Sequence, residues 1–188
     1  MRNILIALTA ATAMAAAMPG YAASMTKESY KSTTKQIDAT FKADQEQCKS
    51  LKANAKDVCM AEAKAKQKIA KADAEADYKN TDKARADARK TRADAEYSVA
   101  KEKCDDLAGN AKDVCIKEAK AARVGGTADA KVAKTAGAAR SDVNEARRDA
   151  QEDKRDAQYK VAVEKCDSFS GDAKDRCVKD AKARFGKS

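Results

Sequence analysis

Apolar residues are arranged in two ways along this chain. From Ile4 to Ala17 they form one continuous run, and beyond it no comparable stretch occurs. Further on, large apolar residues recur at helical spacing. Tyr97, Ala100, Cys104 and Leu107 are three, four and three positions apart, and Tyr159, Ala162, Cys166 and Phe169 repeat the rhythm. Such spacing places them on one seam of an amphipathic helix. Phe41, Cys48 and Leu51 follow it with the charged Asp44 between them. The pattern predicts inner helix faces on which an aromatic residue, a cysteine and a Leu or Phe are stacked.

These seams belong to a larger repeat. The chain reads EQCKSLKANAKDVCMAEAKAK over 46–66, EKCDDLAGNAKDVCIKEAKAA over 102–122 and EKCDSFSGDAKDRCVKDAKAR over 164–184. Chance does not produce this three times, so the chain carries a triplicated unit. In each copy the cysteines are separated by eleven positions: Cys48 and Cys59, Cys104 and Cys115, Cys166 and Cys177. Eleven steps along a straight helix span about 16 Å, whereas a disulfide needs Cα atoms roughly 4.4–6.8 Å apart. If the cysteines are bonded within each copy, the helix must break between them. Gly109 and Gly171 fit the left-handed position that ends a helix. Asn110 and Asp172 then fit as N-caps of the next helix, with Asp113 and Asp175 three residues on. The first copy has Ala53-Asn54 at this place.

The connecting segments are rich in alanine and alternating charge, as in KIAKADAEADYK from Lys68. Alanine has the best helix propensity, with Lys, Arg, Glu and Gln close behind. Opposite charges four residues apart, such as Lys71 and Glu75, add support. Asn80-Thr81-Asp82, Val124-Gly125-Gly126-Thr127 and Gly137 are the expected interruptions. The predicted fold is all-α: four long antiparallel helical arms, some of them broken, turning near Asn54, Gly109 and Gly171. They form three hairpins, each stapled by a C-x10-C disulfide, in an elongated bundle or splayed apart. Because large apolar residues are sparse, the core is thin, and a disulfide closing such a loop contributes about 3 kcal/mol.

The continuous apolar run changes the picture of compartment. Arg2, the run itself, Pro19-Gly20 and the small residues Ala22, Ala23 and Ser24 follow the order of a secretory signal. Cleavage after Ala22 leaves a single helical domain over 23–188. The run is too short for the roughly 20 residues that span a bilayer. No cysteine lies near the cleavage site, so no lipid anchor is expected. The expectation is a periplasmic protein, where disulfides persist, with no membrane span.

Composition narrows the chemistry. Histidine is absent, which excludes Ser-His and Cys-His nucleophiles and imidazole metal ligands. Asp and Glu alternate with Lys and Arg, and no nucleotide or calcium loop is present. Neither a catalytic residue nor a metal or cofactor is assigned. For Cys48, Cys59, Cys104, Cys115, Cys166 and Cys177, structural disulfides lead, with thiol exchange and zinc ligation as alternatives.

The balance of 39 Lys+Arg against 30 Asp+Glu invites an anionic partner. Two clusters are candidate anion-binding residues: Lys83, Arg85, Arg89, Lys90 and Arg92, and Lys174, Arg176, Lys179, Lys182, Arg184 and Lys187. The competing reading is an ordinary solvated helix surface. Aromatic residues for stacking bases are scarce, so nucleic acid is not expected.

With its Lys-Cys-Asp, Ala-Lys-Asp-x-Cys and Ala-Lys-Ala elements, the chain resembles small Ala/Lys-rich periplasmic proteins of proteobacteria, often labelled cell envelope biogenesis or TolA-like. The resemblance implies an envelope protein. The expectation is a non-enzymatic helical spacer or protein-interaction scaffold. The alternative is a binding or chaperone-like module for anionic envelope polymers or unfolded clients.

Overall fold

The computed structural model describes residues 25–187, and the expected signal over 1–22 lies outside them. It contains six helices: α1 (Lys27–Cys48), α2 (Ala53–Lys79), α3 (Asp82–Cys104), α4 (Gly109–Lys134), α5 (Arg140–Cys166) and α6 (Gly171–Phe185). Six arms replace the expected four, because two of the interruptions reverse the chain. At the first, Asn80 takes a left-handed φ of 48° and Thr81 accepts a hydrogen bond from the Ala84 amide, ending α2 and capping α3. At the second, the chain turns through 135–139, where Gly137 has φ 85°.

Val124-Gly125-Gly126-Thr127 does not interrupt anything; α4 runs straight through it. The reason is steric. A Cβ on Gly126 would lie 2.7 Å from the Cβ of Ala93 on α3, so this glycine lets two helices approach closely.

The hairpin turns also differ from expectation. The first helix of each pair ends at its cysteine, not at the glycine, and the amides of Leu51, Leu107 and Phe169 donate to the carbonyls of Cys48, Cys104 and Cys166 at 3.1, 3.0 and 3.0 Å. Gly109 and Gly171 open the second helix with φ 55° and 52°. Ala53 adopts φ 49° at the same place without a glycine's freedom. Asn110 and Asp172 are therefore inside their helices, and α4 and α6 begin without a side-chain cap.

Each helix packs on its sequence neighbours and on no other described helix. The result is a single layer of antiparallel helices, three hairpins side by side, neither splayed nor closed around a central core. Among the described residues every buried apolar side chain is alanine or cysteine. The alanines explain how a middle helix serves two neighbours. Residues two apart lie about 200° apart around a helix, so Ala63-x-Ala65, Ala74-x-Ala76, Ala86-x-Ala88, Ala93-x-Ala95 and Ala128-x-Ala130 each bury one methyl on either side. Small side chains also bring the helix axes close together.

Candidate functional site

Because the helices alternate in direction, the tips joining α1–α2, α3–α4 and α5–α6 share one edge of the layer. The three predicted disulfides are there, with Cα separations of 5.6, 5.7 and 5.6 Å. All six cysteines are bonded in these pairs. The expected stacking of Leu51, Leu107 and Phe169 on the inner seam does not occur. Their helices stop three residues earlier, and the side chains stand out at the tips, 40, 44 and 53% exposed. One edge thus presents an apolar residue at every hairpin.

Ties between hairpins recur with the repeat. The side-chain amide of Asn54 donates to the Glu102 carbonyl at 3.0 Å, and Asn110 reaches the Glu164 carbonyl at 3.5 Å. Alongside, Lys103 pairs with Glu62 and Lys165 with Glu118 at 2.8 and 2.7 Å. The third copy has Asp172 where the others have asparagine.

A third repeated element escaped the sequence reading: Asp38, Asp94 and Asp156 each stand three residues before an aromatic, Phe41, Tyr97 and Tyr159. Lys71 and Gln67 hydrogen-bond Asp38 and hold its carboxyl below the usual range. Burial alone would raise Asp94, but hydrogen bonds from Lys90 and Arg123 outweigh it. Lys187 lowers Asp156 by the same means. Arg123 also lies 5.4 Å over the Tyr97 ring, and Tyr159 meets Phe185 edge-on at 6.1 Å. These carboxylates lock the helix seams, and cations hold them ionised. The shift is opposite to the one that makes a carboxyl a general acid at neutral pH. Among the described residues, no cluster of cysteines and carboxylates is placed to hold a metal ion.

The candidate anion-binding residues are divided by the fold. Arg85, Arg89 and Arg92 share one face of α3 and line a groove with Asp73 and Asp77 of α2, where Arg92 pairs with Asp73 at 2.7 Å. Lys83 and Lys90 point to the opposite face and pair with Asp87 and Asp94. Lys174 on α6 and Lys187 just beyond it are engaged by Asp167 and Asp156, and Arg184 lies over Phe185. Arg176, Lys179 and Lys182 remain exposed on that helix.

A different set of cations is brought together. A shallow groove of about 740 Å³ crosses α3, α4 and α5, lined by Lys90, Lys117, Lys120, Arg123, Lys131 and Lys160 around Tyr97 and Val124. Of these, only Lys90 belonged to a cluster visible along the chain. Lys117, Lys120, Val124 and Lys131 recur at helical spacing, so a projection of α4 would have shown the stripe, but the contributions of α3 and α5 lie in other segments.

Compared with known proteins, the chain matches no protein-family model, no curated protein and no solved structure. Among the described residues no helix is long and apolar enough to cross a membrane.

Proposed function

We propose that this chain is a non-enzymatic cell-envelope protein, exported to the periplasm, that serves as a helical spacer and protein-interaction scaffold. The observation that carries this reading is the edge of the layer, where Leu51, Leu107 and Phe169 protrude from three equivalent, disulfide-stapled tips. Large apolar side chains placed outside a core at the same repeat position suit contact with another protein surface. A layer in which each hairpin touches only its neighbours grows by a fixed increment per repeat, which suits a spacer. The signal-like first stretch and three structural disulfides support an oxidising compartment.

Site-specific photocrosslinking in cells tests this. A photoreactive residue at position 51, 107 or 169 is expected to give the same discrete protein adduct, retained at high salt and lost from the L51S/L107S/F169S variant. An identical adduct pattern from probes at 64 and 68 on α2, or adducts that vanish with salt, would refute the scaffold reading.

A further inference from the structure

We infer that the groove across α3, α4 and α5 binds a polyanionic saccharide chain. Six cations line it and no carboxylate does. Asp94, Asp153 and Glu164 are already committed to Lys90 and Arg123, Lys131, and Lys117, and Asp156, which also feels the charge of Lys160, is engaged by Lys187. Among the described residues Lys120 and Lys160 have no carboxylate within ion-pair distance, so two full positive charges face the groove from adjacent helices.

An internal control comes from the repeat. The first repeat offers the equivalent helix positions on α1, α2 and α3, and the six residues there are Thr34, Ala61, Lys64, Gln67, Glu75 and Ser98. The fold therefore does not require cations at this place. Lys120 and Lys160 add unpaired charge beside four cations that share three carboxylates, and an anionic ligand offsets the resulting repulsion.

The floor selects among anions. Ala121, Val124 and Ala157 put apolar surface between the cations, beside a Tyr97 ring that Arg123 covers. A sugar ring lays its C–H face on such a floor while its anionic substituents meet the ammonium groups. At about 740 Å³ the groove is far larger than one phosphate requires. An extended peptide would find no main-chain partners, since the floor consists wholly of helix with its backbone groups satisfied internally.

The test is titration of the disulfide-bonded protein with a heparin octasaccharide, a sulfated saccharide of defined length, at low and at physiological salt. The K120A/K160A variant is expected to bind about tenfold more weakly, about threefold per lost cation, with an unchanged thermal midpoint because neither lysine holds an ion pair. The K64A/K68A variant removes equal charge from α2 and is expected to change affinity less than twofold. Equal losses in both variants would overturn the inference, since binding would then follow net charge alone. Inorganic tripolyphosphate or polyglutamate binding as tightly, with the same dependence on Lys120 and Lys160, would overturn the assignment to a saccharide. The site is independent of the scaffold edge, and L51S/L107S/F169S is expected to bind the octasaccharide normally.

Discussion

Asn54 and Glu102 are 48 positions apart in the chain, yet the side-chain amide of one donates to the main-chain carbonyl of the other at 3.0 Å. The carbonyl lies in the last turn of α3, where it also accepts from the Asp105 amide at 3.1 Å, and the Asn54 amide comes from the first turn of α2. Asparagine therefore joins one stapled hairpin to the next. Asn54→Ala is expected to destabilise the protein by about 1–2 kcal/mol, measured by chemical denaturation. Asn54→Asp should cost more, because a carboxylate then faces the carbonyl oxygen.

The left-handed backbone at the start of each second helix gives a prediction of opposite sign. Ala53 holds φ 49° where the other copies use Gly109 and Gly171. Relief of the left-handed penalty, about 1–2 kcal/mol, outweighs glycine's greater entropy loss on folding, about 0.5–1 kcal/mol. Ala53→Gly is thus expected to raise the midpoint of thermal unfolding, and Gly109→Ala or Gly171→Ala to lower it.

Adjacent glycines in α4 should respond oppositely. At Gly126 a methyl group would collide with Ala93, so Gly126→Ala is expected to cost about 1–3 kcal/mol through overpacking. Adding Ala93→Gly should restore part of the loss. At Gly125 the nearest atom is the Lys154 Cε at 4.0 Å, and Gly125→Ala should gain up to about 1 kcal/mol in helix propensity. Denaturant titration of the three variants checks both signs.

Each helix in the layer has at most two neighbours, so the last hairpin should open independently. α6 packs on α5 alone, and the Cys166–Cys177 bond restrains it. C166S/C177S is expected to lose about 3 kcal/mol of local stability. Hydrogen exchange should then accelerate in α6 while α2 and α3 stay protected; uniform acceleration would mean that the layer unfolds as one unit.

The pH dependence follows from carboxylates that cations hold below their ordinary value of 3.8, among them Asp38, Asp87 and Asp105. A group depressed in the folded state stabilises above its unfolded pKa, and the gain disappears as pH falls through the folded pKa. Lys79, Lys112 and Lys174 are raised above 10.5 by Glu75, Asp105 and Asp167, so their contribution is present below that value and lost as pH rises through the folded one. With no histidine in the chain, the thermal midpoint should stay flat from about pH 5 to 9. It should fall on both sides of that window, and circular dichroism melts across pH check this.

Sequence alone determined what local chemistry controls. Alanine-rich, charge-alternating segments form helices because propensity and near-neighbour pairs act within one or two turns. The threefold spacing of the cysteines, longer than a helix permits for a disulfide, required a hairpin in each copy. Asn80-Thr81 and Gly137 were legible as interruptions from their own turn chemistry, but that the chain reverses at them was decided by packing between helices. What depends on contacts between helices was decided by tertiary structure. Gly125 and Gly126 look like a break, but packing against Ala93 makes the second a close-approach position within a continuous helix. Leu107 continues the seam by spacing, yet its helix stops at Cys104 and leaves it at the tip. Arg85 and Lys90 belong to one basic run, but the layer sends them to opposite faces, because a single sheet of helices exposes both. The groove gathers Lys90, Lys120 and Lys160 from three helices, and only the lateral packing of alanine stripes, which fixes which helix lies beside which, could bring them together.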